Sequence, residues 1–208
     1  MALNTNALIS LEDMKAWLGL TITDYDMKVE TYINAASQYV EKYLDRELDR
    51  QEYTENYDGV RSNRLHLWNY PADKPSSIIV SNNWDFSNAD PIDVADYTIT
   101  RDSVVVVKSG TFGRGNQSIQ VTYKAGYNTP NAALQDGEDL PSDIRMAAIL
   151  YVQWLWDKDK NKTVGYESKS KQNQNTKYVQ GLPKEIDQML ENYKRTEFTG
   201  LHAQFDTF

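Results

Sequence analysis

Two hydrophobic periodicities divide this chain, and the change between them constrains its fold more than any other feature. From Leu11 to about Arg46, apolar residues recur every three or four positions. From Gln51 to Tyr127 that rhythm gives way to short runs of Tyr, Val, Ile and Thr between Asn, Asp, Gly and Pro, and after Leu140-Pro141 the helical spacing returns. A strand-like segment enclosed by helical ones predicts an α+β fold. The expected form is mainly a helical bundle built by the N- and C-terminal helices, with a small antiparallel β subdomain inserted. The boundaries follow: a helical core from 1–50 and 135–195, a β insertion at 51–130, a mobile polar loop at 157–180 and a C-terminal tail at 196–208.

Ser10 followed by Asp13 is a variant capping box that opens a helix, and Gly19 closes it; Leu11, Met14, Trp17 and Leu18 fall on one face. A second helix is expected from Asp24 to about Arg46, with Val29, Ile33, Ala36, Val40, Tyr43 and Leu44 inward. Proline at 141 and Asp143 suit the first turn of a third helix, which buries Ile144, Ala147, Ala148, Tyr151, Trp154 and Leu155. A last helix is expected from Pro183 to about Arg195, with Ile186, Met189, Leu190 and Tyr193 inward.

Strands are predicted at Tyr53–Tyr57, Arg64–Leu67, Ser77–Val80, Tyr97–Thr100, Val104–Lys108 and Ser118–Tyr123. Asp58-Gly59 and Gly113-Arg114-Gly115 sit where hairpin turns are expected to need positive φ, and Gly126 closes a strand in the same way. The stretch from Asp157 to Gln180 is too polar to order itself.

Several function classes are disfavoured by composition. The chain has no cysteine, which removes disulfides, thiolate metal sites and cysteine nucleophiles. Only His66 and His202 remain as imidazole ligands, and no metal site or cofactor is expected. A net charge of −8 argues against sequence-specific nucleic-acid binding, which draws its affinity from phosphate neutralisation. The longest apolar run, Met146 to Val152, falls far below the ~18 residues of a membrane span, so no membrane partner and no export signal are expected. Asp58, Asp96 and Asp143 are candidate acids, but turns and helix caps account for them, and no catalytic residue is assigned. With five tryptophans and 14 tyrosines, a carbohydrate- or receptor-binding module is the alternative, with Trp68 and Trp84 as its exposed aromatics while Trp17, Trp154 and Trp156 are assigned to helix cores.

The collinear set Ser10-Leu11-Glu12-Asp13-Met14-Lys15, Ala35-Ala36-Ser37, Tyr57-Asp58-Gly59, Leu67-x-x-Tyr70-Pro71, Asp96-Tyr97, Val121-x-Tyr123-x-Ala125-Gly126-Tyr127, Leu140-Pro141-x-Asp143-Ile144-Arg145 and Leu182-Pro183-x-x-Ile186 resembles the head-tail connector (head-completion or adaptor) proteins of tailed bacteriophages. The resemblance covers most of the chain. It implies a non-enzymatic virion protein located in the neck between head and tail, after assembly in the host cytoplasm. It further implies a homo-oligomeric ring, dodecameric in the virion, lying under the portal protein and above a stopper or tail-completion protein. Genomic DNA would pass through the ring without being read. Two groups of residues are then candidates for partner contacts. Phe198, Leu201, Phe205 and Phe208 give the tail an anchor-like composition for docking on the portal. Lys158, Lys160, Lys162, Lys169 and Lys171 place cations in the polar loop, facing acidic partners or passing DNA.

Overall fold

A Ser10 cap starts the first helix. In the computed structural model, which describes residues 2–160 and 183–194 in full and the backbone of 169–171 and 174–176, the Ser10 hydroxyl accepts from the Asp13 amide and donates to the Asp13 carboxylate at 2.7 Å. Helix α1 (Leu11–Leu18) ends at Gly19 in the left-handed region, φ 67°. Met14 is buried, whereas Trp17, expected inside, is 48% exposed and donates its indole N–H to Gln153 Oε1 at 3.0 Å. The indole amphipathicity explains the difference: the ring lies along the surface where its N–H finds a partner.

Helix α2 (Asp26–Leu44) starts two residues later than expected and buries Val29, Ile33, Ala36, Val40 and Leu44 of the predicted stripe, with Tyr43 only half-buried. It also buries Asn34 and Ser37. Both hold the N-terminal segment: Asn34 Oδ1 accepts from the Asn4 amide at 2.9 Å, and Ser37 Oγ accepts from the Leu8 amide at 3.0 Å. Ala7, Leu8 and Ile9 are consequently fully or almost fully buried, a contribution ahead of the first helix that periodicity does not reveal.

The chain then builds ten-residue strand β1 (Gln51–Val60), followed by β2 (Arg64–His66), β3 (Ser77–Val80), β4 (Tyr97–Ile99), β5 (Val104–Val107) and β6 (Arg114–Ala125). Strand β6 is central to one antiparallel sheet of order β1-β6-β3, and β5 is central to a second of order β2-β5-β4. Alternate residues Ile119, Val121, Tyr123 and Ala125 of β6 enter a core shared with Ile78, Tyr97 and Val105. Asp58-Gly59 is not a hairpin turn. It lies inside β1, where the register slips between Tyr57↔Ile119 and Gly59↔Gly115, and a Cβ on Gly59 would stand 3.1 Å from the Gly113 carbonyl. Gly59 and Gly115 serve a bulge and close strand approach, while the positive φ falls on Gln117 within the bulge, on Arg61 after β1 and on Gly113 just before β6.

Short parallel strands β7 (Tyr127–Asn128) and β8 (Glu138–Asp139) lead into helix α3 (Ser142–Lys160). Its buried residues are Ile144, Ala147, Ala148, Ile149 and Val152, with Trp156 packed beside them. Trp154 and Leu155 do not join the core, because the buried line follows i, i+4 from Ile144 through Ala148 and Val152 to Trp156. The helix also takes in Asp157–Lys160, the first residues assigned to the polar loop. Beyond it, β9 (Lys169–Lys171) pairs antiparallel with β10 (Gln174–Thr176). Helix α4 (Lys184–Glu191) buries Ile186 and Leu190 and is tied to α2 by Tyr39 OH donating to Asp187 at 2.9 Å and Tyr43 OH donating to Glu191 at 2.7 Å.

The chain is therefore mixed α+β, with two separate apolar clusters: one shared by the four helices, the N-terminal segment and Tyr127, the other shared by the strands. The crossing between them is tightly specified. Gly126 takes φ +100°, and a Cβ there would meet the Asp49 carbonyl at 2.3 Å, so no side chain fits. The Tyr127 amide donates to Leu48 O at 2.7 Å. Beside it Arg50, 2% exposed, bonds Asp73 and reaches Asp136 at 2.9 Å. Lys124, and after it Arg50, hold the Asp136 carboxyl down at about 2.

At the same end of α2, burial pushes the Glu41 carboxyl up to about 7 from its ordinary 4.5, against the opposing donors Asn6 and the Leu48 amide. Asp49 and Glu47 add a smaller upward push. An acid whose folded-state value is raised favours folding while protonated, so this contribution is lost as pH climbs from about 4.5 to about 7. Glu41→Gln should flatten that stretch of the stability–pH profile in denaturant titrations; a variant profile parallel to that of the parent would contradict it. Gly126→Ala should cost about 3 kcal/mol or more in the same assay, since strain and overlap with backbone combine. A loss below about 1 kcal/mol would contradict the crossing geometry.

Candidate functional site

The two-core arrangement leaves a cleft along the boundary of the clusters, about 790 Å³ in volume. Its floor is set by Arg46, just past the C-cap of α2. The Arg46 guanidinium lies 3.8 Å above the Tyr70 ring and donates to the Tyr70 carbonyl at 2.6 Å, while Tyr127 lies further below at 5.8 Å. Arg46 is only 7% exposed, and its buried Nε has no hydrogen-bond partner.

One wall is the segment after β2. The Tyr57 and Tyr123 hydroxyls share the Glu55 carboxylate at 2.6 and 2.5 Å, and they accept the backbone amides of Trp68 and Asn69 at 3.0 and 3.2 Å. Burial first, then Tyr123 and Glu55, push the Tyr57 phenol far upward against the Trp68 amide, so it stays a neutral donor. The Trp68 and Asn69 backbone is thereby fixed, leaving the Trp68 ring 46% exposed against Tyr57 at 4.8 Å.

The opposite rim is the turn between β4 and β5. Ser103, at φ 57°, accepts the Ala72 amide on its hydroxyl at 3.0 Å and the Leu67 amide on its carbonyl at 3.2 Å. This holds Arg101 and Asp102 at the mouth of the cleft. Arg64 of β2 and Lys194, after α4, complete a cationic lining, four cations facing the single carboxylate of Asp102. Arg64 and Arg101 are exposed and form no ion pair among the described residues. Cations without partners, in a chain of net charge −8, mark this cleft as a place for an anionic group.

None of these cations stands out in the sequence. They come from four separated segments and share no spacing; only the fold collects them. Of the residues that do stand out, Lys158 lies in the last turn of α3 with its ammonium 3.9 Å from the Trp154 ring, and Lys160 ends the helix, exposed. Lys169 and Lys171 are on β9. Lys162 and the tail anchors Phe198, Leu201, Phe205 and Phe208 lie outside the described residues. Among the candidate acids, Asp58 accepts the Gln117 amide at 2.6 Å and Asp143 accepts the Tyr193 hydroxyl at 3.3 Å, both structural roles. Trp84 is 69% exposed, with its indole N–H on the Asn116 carbonyl at 2.8 Å. Among the described residues no group of three or more His, Cys, Asp or Glu is placed to hold a metal, and no helix is long and apolar enough to cross a membrane.

Similar folds occur in known assemblies. The chain superposes with a TM-score of 0.60, at 13% identity, on a subunit from the neck of an empty GTA particle computed with C6 symmetry, covering 96% of this chain and 95% of that one. The same values hold for a subunit from the neck of a native GTA particle computed with C12 symmetry. No curated protein matches the sequence. A family model described as "Head completion protein" matches residues 7–196, nearly the whole chain. The chain therefore belongs to the head completion protein family.

Proposed function

We propose that this chain is a head-to-tail connector subunit of a tailed-phage particle, acting by assembly and not by catalysis. Copies close side to side into a ring beneath the portal, continue the DNA channel and give the tail its attachment platform. The family match over residues 7–196 carries this reading. The likeness to subunits from necks computed with C6 and C12 symmetry supports the ring, because a heterologous side-to-side contact produces a ring whenever its rotation closes. A dodecamer fits the C12 case.

The division of the chain into two apolar clusters suits a connector, since one body can contact neighbours in the ring while the other faces a different layer of the neck. The acidic balance suits a channel wall along which DNA moves without being held, since phosphate binding needs clustered cations. Residues 196–208 are the proposed portal anchor, with Phe198, Leu201, Phe205 and Phe208 entering pockets on the partner. Lys158, Lys160, Lys162, Lys169 and Lys171 are the proposed cationic contacts of the polar segment.

Deleting residues 196–208 tests the anchor. The shortened chain should melt within about 2 °C of the parent, since no described core residue is removed. It should no longer be captured by portal rings in a pull-down. A large fall in melting temperature with capture intact would place the tail in the subunit's own core and overturn the assignment.

A further inference from the structure

Between β3 and β4 runs a segment, residues 82–96, that contains Asp85, Asp90, Asp93 and Asp96 and no lysine or arginine. Two lysines reach it without forming an ion pair to its carboxylates among the described residues. Lys74 donates to the Val94 carbonyl at 2.7 Å and Lys108 to the Ala95 carbonyl at 2.5 Å, so both ammonium groups bind backbone. Asp85 and Asp93 are occupied locally, accepting from Ser87 and Ala95. Asp90 and Asp96 are exposed, with no side-chain hydrogen bond or ion pair among the described residues. Trp84 and Val94, at 69% and 47% exposure, add apolar surface to the same segment.

The cleft carries the opposite set: unpaired Arg64 and Arg101, the orphaned Nε of buried Arg46, and Lys194, beside the exposed Trp68 ring. The two sets do not meet within one subunit. No residue of 82–96 lines the cleft. Arg101 stands at the closed turn of the β4–β5 hairpin and Asp96 at its open end, five residues of largely extended chain away, roughly 15 Å.

We propose that the acidic segment 82–96 of one copy docks in the basic cleft of the next, and that this contact is the repeating interface of the ring. The occupant is a second copy of this chain, chosen by charge: a surface with unpaired cations and a separate surface with unpaired carboxylates on one molecule form a head-to-tail pair. It rests on the ring reading above and names the surfaces that make it. Nucleic acid fits the cleft less well, because the whole molecule is acidic.

Two variants with exposed substitutions test it, Arg64→Glu with Arg101→Glu in the cleft and Asp90→Lys with Asp96→Lys in the segment. Melting temperature checks that each is folded. Sedimentation velocity near physiological salt, up to the solubility limit, should show oligomers for the parent chain and a weakening of at least about a hundredfold for each variant alone, where like charges now oppose. An equal mixture of the two variants should recover association, because every contact in an alternating ring again pairs opposite charges. Variants that associate as the parent does would overturn this interface and leave the ring reading standing. A mixture that stays monomeric while the parent assembles would also overturn it. A parent and mixture that both remain monomeric would overturn the ring reading together with the interface. A fourth outcome assigns the cleft differently: binding of a short DNA duplex by the parent, lost in the cleft variant while self-association persists, would give the cleft to nucleic acid and overturn the proposal.

Discussion

A guanidinium at 2% exposure, with its carboxylate partners about half exposed at the surface, is the constraint on which the two-core arrangement depends. Arg50 stands where the helical segment becomes β1, Asp73 lies in the loop before β3, and Asp136 belongs to the segment that follows β7. One side chain thus ties together three stretches of chain that approach the boundary between the clusters. Isolated, a charge so placed would be strongly unfavourable; with both carboxylates in reach it fixes where those stretches must lie. Gly137 packs against the Arg50 stem so closely that a Cβ would stand 2.3 Å from its Cδ, and the Asn128 side chain exchanges hydrogen bonds with Gly137 at 2.7 and 3.0 Å. The boundary is thus a specified structure, and the cleft beside it inherits fixed walls.

For the connector role proposed above, that rigidity matters. A ring closes only if each subunit presents its two contact surfaces at a constant angle, and a hinge between the clusters would let the rotation drift from copy to copy. The Gly126 crossing, the Ser103 bonds to the Leu67 and Ala72 amides, and the tyrosine pair holding Trp68 and Asn69 all reduce that freedom. Buried, saturated polar networks of this kind favour one arrangement over near alternatives.

Much of the local structure is legible in the sequence. The Ser10 cap, the Gly19 stop and the spacing of the α2 stripe are set within a few residues, and sequence spacing reports such features directly. Asp58-Gly59 reads as a turn although it is none, because a bulge opposite a second glycine uses the same residues; only the pairing with β6 tells them apart. Trp17 and Trp154 read as core because helical spacing says which residues share a face but not how wide the covering partner is. Arg50 gives no signal because Asp73 and Asp136 lie far along the chain, and the cations of the cleft give none because they come from four separated segments; charged residues read as solvated surface until the fold brings them together. The family, by contrast, is carried by short pieces strung in order along the chain, each bland alone.

The most direct measurement is made on particles. Phage assembled without this chain should accumulate as DNA-filled heads lacking tails, and adding the purified protein to them should restore tailed particles bearing one ring of this chain at the neck in electron micrographs. Tailed particles of normal yield and neck structure formed in its absence would contradict a connector role.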